Sequence, residues 1–186
     1  MRPLRVPRRL LLALAWPALL ARCAGAQAQA LGSVRESAVK AAFLYKFGSF
    51  VEWPPDAFRS AAAHFVIGVY ADDAVASELE QITEGRAVEG HPVRVLRVRE
   101  RDEVAGLHIL FAGGARASRA REMLAAARGP VLTVADSAIG GDPGPVLFFT
   151  EDEGRVRFAA SLTAAAARGL KLSSKLLAVA QKVEGR

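Results

Sequence analysis

The side chains able to do chemistry are few and scattered. Three histidines, His64, His91 and His108, lie far apart in the chain, and none has a second histidine one helical turn away. That spacing is what brings two imidazoles to one metal ion, so structural roles are expected for all three. Asp72, Asp73 and Asp136 each follow a predicted strand, where α/β folds gather ligands. Such carboxylates suit a phosphoacceptor or a metal site, but helix caps and turns use the same residues. Ser137 has no G-x-S-x-G elbow and no histidine placed as its base, which leaves a hydrolase built on Asp136 or Ser137 the weakest chemistry here. No cofactor is expected. Gly113 and Gly114 are the best small-ligand feature, standing between a strand and a helix with Arg116 and Arg119 near. Glycine there lets an anion approach the free N–H groups of the helix start. A tight strand-to-helix turn accounts for the same pair, and Gly140-Gly141 reads as a turn.

The elements that would position these groups begin with a helix from about Val34. Ser33 and Glu36 form a capping box, and Glu36 can pair with Lys40 one turn on. Pro54 is expected to end this helix, because the residue before a proline is pushed out of the helical region. Val39, Phe43, Phe47 and Phe50 share one face of its wheel, while Ala41, Leu44, Tyr45 and Val51 spread apolar surface around it. An ordinary buried helix explains most of this. The excess points to a partner or to a second copy of the chain in a homodimer. Tyr45, Lys46, Phe50 and Trp53 are the candidate partner-binding residues, since Tyr and Trp are favoured interface anchors, with a core role equally open for Trp53, and the 139–145 loop comes second.

Further on, 64–70 reads as a buried strand and 74–83 as a helix capped by Asp72 or Asp73. Residues 87–98 read as a half-exposed or edge strand, with Arg94, Arg97 and Arg99 on its wet side discouraging strand addition. A strand at 107–112, a helix at 115–128 stopped by Gly129-Pro130, and a strand at 131–135 follow. Residues 146–150 and 155–158 form a hairpin, and the tail is helical, interrupted at Gly169, with Ser173 capping a last helix that runs through Val183. Strands alternating with helices predict a single-domain α/β sandwich, with a mixed, mainly parallel central sheet flanked by helices and a C-terminal hairpin and helix.

Composition bounds the partners. Arg2, Arg5, Arg8 and Arg9, an apolar run at 10–20 and small residues at 24–30 have the layout of a secretory signal peptide, with cleavage placed after Ala28. The apolar run is too short to span a membrane, and no direct membrane insertion is expected. The domain is then 29–186, and a periplasmic location follows. Residues 1–28 carry five arginines and no acid, so the formal +6 falls to +1. A nucleic-acid partner is not expected at that charge. Cys23 is the only cysteine, and a chain cut after Ala28 has no thiol for a disulfide.

The order of motifs resembles the YfiR family. These are Ala-Ala-Phe-Leu-Tyr-Lys-Phe at 41–47, Phe-Val-Glu-Trp-Pro at 50–54, Phe-Val-Ile-Gly-Val-Tyr at 65–70, His-Ile-Leu-Phe at 108–111, Val-Leu-Thr-Val-Ala-Asp at 131–136, Gly-Gly at 140–141, Arg-Phe at 157–158 and Gly-Leu-Lys-Leu-Ser-Ser-Lys-Leu-Leu-Ala-Val-Ala at 169–180. The resemblance implies a small exported α/β protein that binds the periplasmic part of an inner-membrane diguanylate cyclase and represses it. Release would raise cyclic di-GMP and favour biofilm growth. It implies no catalytic residue. Two departures stand out: Leu107 replaces a cysteine that family members often carry before the His-Ile-Leu-Phe strand, and Ser161 replaces an asparagine. The alternative function is a small-ligand sensor near Gly113 and Gly114 that feeds a histidine kinase.

Overall fold

In the computed structural model the described residues are 32, 34–58, 60, 63–114, 116–137 and 144–185. The expected signal peptide, Ser33 of the capping box and most of the 139–145 loop lie outside them. The chain divides into two units, Met1–Arg35 and Glu36–Arg186, and the second holds the sheet.

Helix α1 covers 34–48. It is followed by β1 (Val51–Glu52), β2 (Phe65–Tyr70), α2 (Asp73–Thr83), β3 (Ala87–Val88), β4 (His91–Val98), β5 (Ile109–Ala112), α3 (Ala117–Ala126) and β6 (Leu132–Ala135). Strands β7 (Leu147–Asp152) and β8 (Arg155–Ser161), α4 (Leu162–Ala167), β9 (Lys171–Leu172), α5 (Ser174–Val179) and β10 (Lys182–Glu184) complete the order. Eight strands form one sheet in the order β10-β8-β7-β6-β5-β2-β4-β3, and β1 pairs separately with β9. The sheet is mainly parallel, with antiparallel pairs only at β7–β8 and β3–β4 among the described strands. This is the predicted mixed α/β sandwich.

The two faces follow from the two-residue period of a strand. Phe65, Ile67 and Val69 of β2, Ile109 and Phe111 of β5 and Leu132 and Val134 of β6 join one core with α1, α2, α4 and α5 residues. Leu110, Ala112 and Ala135 join a second core with Ala120, Met123 and Leu124 of α3. Strand order reverses at β2, with β4 on one side and β5 on the other, and the crossover helices α2 and α3 lie on opposite faces as right-handed connections require.

Several local expectations hold. Asp72 caps α2 by accepting from Val75 N–H at 3.0 Å, and Ser173 caps α5 by accepting from Leu176 N–H at 3.2 Å. The β7–β8 hairpin turns through Glu153 and Gly154, both at positive φ, as a two-residue hairpin demands.

Three expectations are corrected, and a fourth holds in part. Helix α1 ends at residue 48 rather than near Pro54, because Val51 and Glu52 pair with Leu172 and Lys171. Its buried face is Ala41, Leu44 and Phe47 with Phe43 packed alongside, whereas Val39 is 37% exposed. The tail is not helical throughout: Val183 lies in β10, paired in parallel with Ala160. The half-exposed strand expected over 87–98 is β4, with the sheet edge at β3, but Arg97 does not stand solvated: it ties α2 to the sheet through Asp73 at 3.0 Å, Glu80 at 2.9 Å and Ser77 at 3.0 Å.

Gly68 shows how tight the centre is. A Cβ there would lie 2.5 Å from Leu107 Cδ1 and 2.9 Å from Val98 Cγ2. Gly68→Val should therefore lower stability by about 1–3 kcal/mol through overpacking. A urea denaturation midpoint unchanged from wild type would contradict this packing.

Candidate functional site

The last turn of α1 and the segment after it hold most of the predicted partner-binding residues. Tyr45 is half-buried, its hydroxyl donating to Ala87 O at 3.4 Å and its ring lying 5.6 Å from the Arg86 guanidinium. Lys46 is exposed beside it. Phe50 is half-buried against the core, and its carbonyl accepts from Ser173 N–H at 3.0 Å. Trp53 is half-buried and committed to the fold: its indole Nε1 donates to Gly48 O at 2.9 Å, and its ring meets Phe65 edge-on at 5.3 Å. The structure thus puts Tyr45 and Lys46 on one surface patch and turns Trp53 inward.

Behind Trp53 lies a group of rings that the sequence does not reveal. Phe58 stacks on His91 at 3.9 Å and on His108 at 4.7 Å, and His108 stacks on Phe65 at 4.8 Å. His91 and His108 each also grip a backbone carbonyl of the segment between β1 and β2. His91 Nδ1 lies 2.8 Å from Ala63 O, and His108 Nε2 lies 3.2 Å from Ala57 O. On the other side of its ring, His108 Nδ1 accepts from Val66 N–H at 3.1 Å. These contacts fix a neutral imidazole with its proton on Nε2. Both histidines are structural, as expected.

The predicted small-ligand residues lie where strand order reverses, at the carboxyl ends of β2 and β5. Gly113 N–H donates to Tyr70 O at 3.0 Å. A Cβ at Gly113 would lie 2.8 Å from Asp72 Oδ2, and one at Gly114 would lie 2.6 Å from Ala71 O. The glycines are therefore required by the close approach of the Ala71-Asp72 turn, and the Asp72 carboxylate beside them opposes an anion. Arg116 is exposed at the N-cap of α3 without a side-chain cap bond.

Asp136, at the end of β6, faces α1. Lys40 is only 7% exposed, and its ammonium lies 2.5 Å from both Asp136 and Glu36. Asp136 Oδ1 is sealed from solvent, and the Lys40 charge is what neutralises it. Burial alone would lower the Lys40 pKa. Hydrogen bonds and charge from Asp136 and Glu36 outweigh it and hold the ammonium above its ordinary value. Asp136 is thus engaged in an ion pair that anchors α1.

With this geometry in hand, the comparisons identify the chain. The model of the YfiR/HmsC-like family matches residues 37–181, from α1 through α5. The chain belongs to that family. This membership supports a periplasmic regulatory role for the YfiR/HmsC-like chain. Among solved structures, a crystal structure of a conserved domain protein from Vibrio cholerae O1 biovar eltor is similar, with 16% identity and a TM-score of 0.44. The match covers 64% of this chain and 55% of that one, so the chain spans about half the length of the solved neighbour. No curated protein matches it. Among the described residues no helix is long and apolar enough to cross a membrane.

The ring group gives this YfiR/HmsC-like protein a pH dependence. Burial lowers the His108 pKa below its ordinary 6.5, and the charge of His91 lowers it further, against the opposing pull of the Ala57 carbonyl. In the unfolded chain the imidazole takes up a proton near 6.5; in the folded chain it does so only at lower pH. Between these values the unfolded state binds more protons, and stability falls as pH drops through that window. The urea midpoint should therefore decrease on acidification below pH of about 6.5, and His108→Gln should flatten that decrease. An identical pH profile in wild type and variant would contradict the assignment.

Proposed function

We propose that this protein binds the periplasmic part of an inner-membrane diguanylate cyclase and holds it inactive, so that release raises cyclic di-GMP and favours biofilm growth. The reading is of a non-enzymatic binder, and family membership over residues 37–181 is the observation that carries it. The mechanism is a population shift. A protein that binds the inactive state of the cyclase more tightly than the active one favours the inactive state by that difference in affinity, and a signal that weakens the complex releases it.

The surface we assign to this contact is the end of α1. Lys46 is exposed, the Tyr45 ring is partly open beneath Arg86, and both are fixed to a helix that the core holds rigidly. An aromatic anchor beside cations on a rigid element has the composition of an interface hot spot. Trp53 supports this surface from behind by holding Gly48.

The test is a double variant, Tyr45→Ala with Lys46→Glu, expressed in the source bacterium with Trp53 left in place. Truncating a hot-spot residue typically costs more than 1–2 kcal/mol, so cyclase affinity should fall about tenfold or more and cellular cyclic di-GMP should rise. Circular dichroism should show the variant folded. A folded variant that still represses the cyclase fully would rule out this surface.

A further inference from the structure

A cleft of about 590 Å³ opens at the amino end of β6, at the opposite end of the strands from Gly113 and Gly114. Its volume falls within the range typical of small-molecule sites. Two turns converge on it. One is Arg128-Gly129-Pro130 between α3 and β6, and the other is Ala167-Arg168-Gly169 between α4 and β9, with Pro54 and Asp56 completing the wall. Each turn is a helix stop in which a glycine at positive φ follows an arginine. The antiparallel pairing of β1 with β9 brings the Pro54 side against the Gly169 side.

The cleft carries more positive than negative charge, with Arg128 and Arg168 set against one carboxylate, Asp56. Among the described residues neither Arg128 nor Arg168 forms an ion pair with a carboxylate. Arg168 is half-buried and cannot swing out to water. Its two terminal nitrogens donate at 3.1 Å each to Ala127 O and Leu124 O, the last carbonyls of α3, and its Nε is sealed from solvent with no acceptor. Arg128 lies close enough that its charge, added to burial, depresses the Arg168 pKa. Arg128 itself is exposed, with its fork of donors free for a bidentate contact. The carbonyls at the end of α4 already have donors, since Ala165 O and Ala166 O accept from the N–H groups of 168–170. Prolines 54 and 130 and Ala125 add apolar wall.

We infer that this cleft between the α3–β6 and α4–β9 turns binds a small organic carboxylate, its carboxyl group held by Arg128 beside the fixed Arg168 and its apolar body lying against Pro54 and Pro130. A carboxylate there supplies a second counter-charge for the two arginines beside that of Asp56, and the apolar wall selects an organic acid over an inorganic anion. The site is independent of which membrane protein the chain binds.

The probe is benzoate, titrated into the protein and followed by amide NMR, with neutral benzamide and inorganic phosphate in parallel. Benzoate should give saturable shifts centred on the amides of Gly129 and Gly169, and benzamide should give none. Arg128→Gln removes an exposed side chain with no bond holding the fold, and it should weaken benzoate binding about tenfold. Absence of saturable shifts with benzoate, or equal affinity in Arg128→Gln, would overturn the site. Phosphate binding as tightly as benzoate would overturn the carboxylate assignment in favour of a plain anion site.

Discussion

The Phe47 ring is the wedge on which the structure depends. It is 1% exposed, 5.0 Å from Phe158 edge-on and 6.2 Å from Phe149, and Phe43 one turn earlier meets the same two rings at 5.6 and 6.1 Å. Phe158 and Phe149 belong to the β7–β8 hairpin, so the first helix of the domain lies on strands made near its end. Removing such a ring costs about 3–5 kcal/mol, a large share of a domain's whole stability. Once α1 is seated, its continuation is fixed too. Val51 and Glu52 find β9, Phe50 O accepts from Ser173, and Lys40 reaches Asp136 from the middle of the helix. The Tyr45 and Lys46 surface inherits its position from those contacts.

Much of the remaining order comes from side-chain donors that hold loop and helix-end carbonyls. Trp53 holds Gly48, His108 holds Ala57, His91 sits on Ala63, and Arg168 holds Leu124 and Ala127. Each donor satisfies a carbonyl that a turn or a helix end leaves without a strand or helix partner. The stacked rings of Phe58, His91, His108 and Phe65 then bind the segment between β1 and β2 to the sheet without a covalent link.

What could be read from the residues, and what could not, divides along range. Local chemistry was legible: the Asp72 and Ser173 caps, the Glu36–Lys40 pair, the Glu153-Gly154 hairpin and the alternating strands all rest on neighbours in sequence. The misreadings arise from distant partners. A wheel that counts only apolar residues puts Val39 inside; the structure buries Lys40 instead, because Asp136 and Glu36 neutralise it. Nothing between Gly48 and Pro54 announces that Val51 will pair with Leu172, and the spacing of Val183 fits a helix until Ala160 offers a strand. Trp53 reads equally as an anchor or as core until the Gly48 carbonyl that holds its indole is seen. Arg128 and Arg168 are ordinary cations at helix ends until two turns bring them to one cleft.

The proposed function rests on a direct contact between the end of α1 and a diguanylate cyclase. The measurement that addresses it is site-specific photo-crosslinking in living cells, with a photoreactive amino acid placed at Lys46 and, as a control, at exposed Arg121 on the opposite face of the sheet. An ultraviolet-dependent adduct from position 46 that contains the periplasmic part of a diguanylate cyclase is expected, and none from position 121. Adducts to the cyclase from position 121 alone, or no cyclase adduct at all from position 46 of a protein that still represses, would contradict it.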